Sequence, residues 1–143
     1  MFKGEYSHTI DAKGRLIMPS KYRELLGEAF VVTRGFDHCL FVFDQEGWEK
    51  FESDLRALPI ASANARKLQR FFIGGAVEAE IDKQGRVLIP GVLREHASLE
   101  KNITLVGVGS HIEIWNKESW EQDGSFDNLD EAAEQLMELG IMI

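Results

Sequence analysis

The sequence predicts an α+β chain made of two tandem copies of one unit, and three observations predict it. The first is a repeat. Ile10-Asp11-Ala12-Lys13-Gly14-Arg15, an apolar stretch, Pro19 and Ser20-Lys21-Tyr22-Arg23-Glu24 return as Ile81-Asp82-Lys83-Gln84-Gly85-Arg86, an apolar stretch, Pro90 and Gly91-Val92-Leu93-Arg94-Glu95. The offset is 81 − 10 = 71 residues, too long for local composition, so it marks two copies of one structural unit. Second, each copy carries short β-branched and aromatic runs bounded by turn residues. Third, each of those runs is followed by apolar residues at helical spacing.

Taken in order, Ser7 to Ile10 and Arg15 to Met18 read as two strands of a hairpin closed by Asp11-Ala12-Lys13-Gly14, whose Asp can cap its own backbone and whose Gly accepts positive φ. Pro19 lacks the N–H that a strand ladder needs and suits a first helical turn, so a helix should run to Leu26 with Gly27 beyond its end. Phe30 to Thr33 and Leu40 to Phe43 form a second hairpin with a longer loop, and Trp48, Phe51, Leu55 and Leu58 stripe the helix that follows, ended by Pro59. The second copy repeats this plan: strand Val77 to Ile81, turn Asp82 to Gly85, strand Arg86 to Ile89, a short helix to Ala97, strands Ile103 to Val106 and Ile112 to Trp115, and a turn opened by Trp120. The later match is shifted by one residue, 120 − 48 = 72. Residues 1–60 form the first domain, 61–75 a linking helix with the Gly74-Gly75 hinge, 76–126 the second domain, and 127–143 an amphipathic C-terminal helix whose Leu129, Ala133, Leu136 and Leu139 need something to cover.

At 143 residues, each copy sits near the lower size limit for an independent core, so the halves are expected to pack on each other as an intramolecular pseudo-dimer. A single cysteine, Cys39, excludes an internal disulfide, and no apolar leader or membrane stretch opens the chain, so a cytoplasmic protein is expected. The net charge of −8 argues against non-specific binding to nucleic acid, but it is unevenly spread. Residues 113–143 hold 9 acids and 1 base, and residues 1–112 balance at 15 and 15.

The twin turns Asp11…Arg15 and Asp82…Arg86 are the sharpest chemical signal. An arginine directly after a tight turn projects from a hairpin tip, where its planar fork can address phosphate or the O6/N7 edge of guanine, with Lys13 and Gln84 in the same loops. A simple Asp–Arg pair across the turn is the plainer alternative; two copies in one phase favour the functional loop. His8, His38, His96 and His111 show no ligand spacing with Cys39, so no metal or cofactor is expected. Gly107-Val108-Gly109-Ser110 reads as a hairpin turn rather than a phosphate loop, and no nucleophile motif suggests an enzyme. Phe41, Phe43, Trp48, Trp115 and Trp120 fall at core positions.

Met1-Phe2-x-Gly4, both Asp-x-x-x-Arg turns, Arg66-Lys67-Leu68-Gln69-Arg70 and Ile112-Glu113-Ile114-Trp115 with Trp120 resemble the MraZ family along the whole chain. The resemblance implies two swapped-hairpin, SpoVT-AbrB-like β-barrel halves with short helices. It also implies a transcriptional regulator, usually a repressor of the division and cell-wall gene cluster and of its own promoter. Such a protein would be nucleoid-associated and assemble as a ring-shaped homo-oligomer on short G-rich direct repeats in double-stranded DNA, with neither a membrane nor a small-molecule substrate as partner. Carried over by motif, Arg15 and Arg86 would read DNA with Lys13 as a loop contact, Lys83 and Gln84 would occupy the second loop, and Asp11, Gly14, Asp82 and Gly85 would shape the turns. A rival from another class is an antitoxin-like interaction protein, its acidic tail covering a basic partner.

Overall fold

Pro19 and Pro90 end a strand and start a helix at the same point of each half, each offering its carbonyl to the first helical N–H groups, Tyr22 and Arg23 in one case and Leu93 and Arg94 in the other. In the computed structural model, which describes residues 1–124 and 126–141, the first half runs β1 (Phe2–Thr9), β2 (Arg15–Ile17), α1 (Ser20–Leu26), β3 (Ala29–Arg34), a 3-10 turn (Phe36–His38), β4 (Leu40–Phe43), α2 (Gln45–Arg56) and α3 (Ala63–Phe72). The second half runs β5 (Val77–Glu80), β6 (Arg86–Leu88), α4 (Gly91–His96), β7 (Asn102–Gly109), β8 (Ile112–Asn116), α5 (Lys117–Asp123) and α6 (Leu129–Glu138). Of the tail expected as helix at 127–143, Met142 and Ile143 lie outside the described residues.

The strands form an open six-stranded sheet in the order β1-β7-β8-β4-β3-β5 and a separate two-stranded ribbon of β2 and β6, with no closed barrel. Exchanging the halves, β1 for β5, β3 for β7 and β4 for β8, reverses the six-stranded order onto itself, so the halves are related by a pseudo-twofold. Each half's opening strand leaves its own hairpin and pairs with the other half's, β1 on β7 over eight residues and β5 on β3 over four. This corrects the expectation that Ser7–Ile10 and Arg15–Met18 pair with each other: only an Ile10–Leu16 bridge joins them, and β2 pairs instead with β6. The reason is burial. Antiparallel pairing across the pseudo-twofold sets Leu16 directly opposite Val87, and both are completely or almost completely buried.

Period-2 alternation sorts the strand residues onto two faces. The inner face holds Phe30, Val32, Leu40, Val42, Ile103, Leu105, Ile112 and Ile114, which pack on Leu16, Met18, Tyr22, Val87, Ile89 and Leu93 in one core shared by both halves. On the outer face, Val31, Phe41, Phe43 and Trp115 pack with Trp48, Leu55 and Phe72, so four of the five aromatic residues expected in the core are buried there, while Trp120 is half-buried at its edge and donates its indole N–H to Glu5 (2.9 Å). Two bonds tie α3 to this layer: the Thr33 hydroxyl donates to the Phe72 carbonyl (2.6 Å), and the Gln69 amide donates to the Leu55 carbonyl (2.9 Å). Gly107 faces Gly4 across β1 and β7, and a Cβ at 107 would run into the Lys3 backbone, which explains the glycine without a phosphate loop. Among the described residues no helix is long and apolar enough to cross a membrane.

Candidate nucleic-acid interface

Both turns have one construction. Asp11 Oδ1 accepts from the backbone N–H of Lys13 (3.0 Å) and of Arg15 (2.9 Å), while Oδ2 accepts from Arg15 Nε (2.9 Å). Asp82 does the same with Gln84 N, Arg86 N and Arg86 Nε, each at 2.9 Å. Backbone bonds from Asp11 N to Arg15 O and from Gly14 N to Asp11 O close the first turn, and the same pair recurs at Asp82, Arg86 and Gly85. The Arg15 backbone N–H holds the Asp11 carboxyl below its ordinary value; desolvation opposes it, and the hydrogen bond and charge of the Arg15 side chain add to the lowering, with Asp82 held down in the same way by Arg86. Each carboxylate is therefore an anion that, of its arginine's guanidinium, engages only the inner Nε–H. The terminal Nη groups carry four of the five guanidinium donors, and among the described residues no hydrogen bond or ion pair engages them.

The ribbon aims those forks. Its register places Arg15 opposite Leu88 and Ile17 opposite Arg86. With Leu16 and Val87 turned inward, alternation puts Arg15, Ile17, Arg86 and Leu88 on one outer face. Ile17 is 51% exposed and Leu88 58%, an unusual apolar presence between two cations. Lys13, Lys83 and Gln84 are exposed at the two tips, while Gly14 and Gly85, at φ +86 and +78, are buried beneath them. Thus the sequence-predicted site residues lie on one short ribbon and in the two turns that flank its opposite ends, related by the pseudo-twofold.

Four further residues belong to this ribbon and its turns. Arg94 of α4 lies beneath the first tip, its Nε bonded to the Ile89 carbonyl (3.0 Å) and 2.7 Å from where a Cβ on Gly14 would sit. Arg23 of α1 lies beneath the second tip against Gly85, and its buried Nε has no hydrogen-bond partner. Each half's helix thus supports the other half's tip, and among the described residues neither arginine has a carboxylate in ion-pair range. Their signal was available: 94 − 23 = 71 is the repeat offset. Ile17 and Leu88 are the other two; only the cross-half register reveals that they face outward.

Among the described residues no three His, Cys, Asp or Glu side chains converge as metal ligands. Cys39 is buried as a free thiol, and burial of its sulfur pushes its titration well above the usual range, so it is not a ready nucleophile.

A family profile described as "MraZ protein, putative antitoxin-like" matches residues 1–71 and again 72–137. A "Transcriptional regulator MraZ" of Lachnoclostridium phytofermentans is 57% identical over 141 residues, covering 99% of each chain. Another, of Heliobacterium modesticaldum, is 51% identical over 143 residues, covering 99% of this chain and 100% of its own. A solution structure of PHS018 from Pyrococcus horikoshii aligns at TM-score 0.34 and 18% identity over 78% of this chain and 94% of its own, too loose a likeness to inform the fold.

Proposed function

This chain belongs to the MraZ family, and on that premise we propose that it is a DNA-binding transcriptional regulator whose two modules, 1–60 and 76–126, read double-stranded DNA through Arg15 and Arg86. The observation that carries the reading is the Asp-held arginine pair on one exposed ribbon face, Nε engaged and both terminal nitrogens free. Such a fork matches guanine O6 and N7, and each good bidentate contact is worth about 1–3 kcal/mol of base discrimination. Lys13 and Lys83 add phosphate attraction at the loop tips, Gln84 offers an amide edge, and Arg23 and Arg94 supply charge from beneath. Asp11, Gly14, Asp82 and Gly85 shape the turns that present these groups. The protein acts without catalysis, as a repressor of the division and cell-wall gene cluster and its own promoter, at the nucleoid in the cytoplasm.

Two arginines on a chain of net charge −8 give weak binding by themselves. A homo-oligomer, ring-shaped as the family resemblance implies, would set successive ribbons on successive G-rich direct repeats and raise affinity through effective concentration. The acidic balance would then suppress non-specific attraction and leave discrimination to the tips.

The test is binding of the wild-type protein, Arg15→Ala and Arg86→Ala to a labelled promoter fragment with several direct repeats, across a salt series and against a scrambled fragment. Each substitution is expected to weaken specific binding by about tenfold or more, with oligomer mass unchanged. Lys13→Ala should weaken both fragments alike and flatten the salt slope by about one. Undiminished preference for the repeats in both arginine variants would return these residues to a structural role.

A further inference from the structure

A ten-residue helix is marginal in water unless packing supports it, and α6 has almost none: of its residues only Ala133 is half-buried. Leu129 and Met137 are each 58% exposed, and Leu139 beyond the helix end 76%. At 100° per residue, Leu129, Ala132, Ala133, Leu136 and Met137 share one face, with Asp130, Glu134, Glu138 and Glu131 along its flank. From 126 to 141 the chain holds five acids and no base.

The complementary surface lies at the end of the first half. From 56 to 72 there are four bases, Arg56, Arg66, Lys67 and Arg70, and no acid. Because α3 turns Leu68 and Phe72 into the outer core, it presents Lys67 and Arg70 to solvent, beside an Arg56 side chain that is 67% exposed and pairs through Nε with Glu52 (3.6 Å). Apolar residues border these charges: Ile60 is 76% exposed before α3, and Phe36, stacked on Phe71 with ring centroids 6.0 Å apart, is 54% exposed near its far end.

We propose that α6 of one copy docks on the basic α2–α3 shoulder of a second copy, apolar face to Ile60 and Phe36, acids to Arg56, Lys67 and Arg70. The inference rests on the homo-oligomeric reading above and names its interface. Each chain offers one tail and one shoulder, so the contact is head-to-tail, which closes into a ring or runs on as a filament. One short helix covers well under the roughly 1,000 Å² of a stable interface, so a single contact is weak and closure supplies the missing affinity.

Mass measurement by sedimentation decides it, using the full chain, a tail variant (Glu131→Lys, Glu134→Lys, Glu138→Lys), a shoulder variant (Lys67→Glu, Arg70→Glu) and the two combined. The wild type should assemble, each variant alone should associate at least tenfold more weakly, and the combination should reassemble, which also shows that the single variants fold. Assembly that survives both reversals overturns the docking surface and leaves the oligomeric reading standing. A combined variant that stays apart overturns it as well. A monomeric wild type overturns both, and assigns the exposed stripe to a different, basic protein.

Discussion

In the first half the outer face of the sheet carries Val31, Phe41 and Phe43, and α2 and α3 close over it with Trp48, Phe51, Leu55 and Phe72. At the matching positions of the second half, offset by 72 or 73, stand Thr104, Glu113 and Trp115, and the helix that follows, α5, has only seven residues. The last helix of the first half is sewn into that layer, whereas its counterpart α6 lies exposed. The inner faces did not diverge in this way: Phe30 and Ile103, Val32 and Leu105, Leu40 and Ile112, Val42 and Ile114 are all buried. The difference shows what the interlock constrains. Strands that must complete the other half's sheet keep an apolar inner face, while the outer face gathers its apolar layer over the first half, where Trp115 of β8 joins it, and leaves α6 uncovered.

The strongest way to break this comparison is to strip the corresponding helix from each half. Phe72→Ala removes a side chain that is 2% exposed and touches the rings of Phe36, Phe41, Phe51 and Phe71. It should cost about 3–5 kcal/mol in urea denaturation. Ending the chain at residue 126 removes a helix without a buried core, and at protein concentrations too low for assembly it should change stability by no more than about 0.5 kcal/mol. A truncation as costly as Phe72→Ala would mean that α6 packs on its own chain, and the contrast between the halves would be gone.

Local features of the fold were legible because they are encoded locally. The helix expected from Ser20 to Leu26 spans those residues, Gly27 follows at φ 75, and the two longer hairpins form where β-branched runs flank turn residues. What could not be read was partnership. A three-residue strand such as Arg15–Ile17 has the same pattern whether it pairs with its neighbour or with a segment 71 residues away, and only the shared core decides. The site follows the same division. Asp11 and Arg15 lie within one turn, so their geometry was visible in the sequence; Arg23 and Arg94 reach a tip only through the other half, and Ile17 and Leu88 face outward only by cross-half register.

A smaller test asks whether the two tips are mechanically equal. Alanine at either glycine must adopt a left-handed backbone, at about 1–2 kcal/mol. Beyond that the sites differ. The new Cβ at position 14 would lie 2.9 Å from the Ile89 carbonyl oxygen, in a backbone that cannot swing aside because Ile89 N donates to Gly14 O (2.8 Å). At position 85 the nearest atoms all belong to the Arg23 side chain, which can move. Gly14→Ala should therefore lower the unfolding midpoint more than Gly85→Ala, by about 1 kcal/mol. Equal losses would show that Arg23 is held as rigidly as the backbone beneath the first tip.

The smallest effect concerns the charges that the two turns share. Both Asp11 and Asp82 titrate below the ordinary carboxylate value of 3.8 in the folded chain, chiefly through the backbone N–H of Arg15 and Arg86. A carboxyl whose folded pKa is depressed contributes stability that is present above its unfolded pKa and lost as pH falls through the folded one. Asp11→Asn and Asp82→Asn should each remove part of the stability difference between pH 7 and the acid range below 3.8. Both turns are open to solvent, so each loss should be slight; because their bonds match, the two losses should also be equal. Chemical denaturation of the wild type and both variants at pH 7 and pH 3 measures this directly. A loss confined to one turn would show that the pseudo-twofold, visible in the bonds of both tips, does not extend to their energetics, and the functional comparison of Arg15 with Arg86 would then have to be made at matched stability.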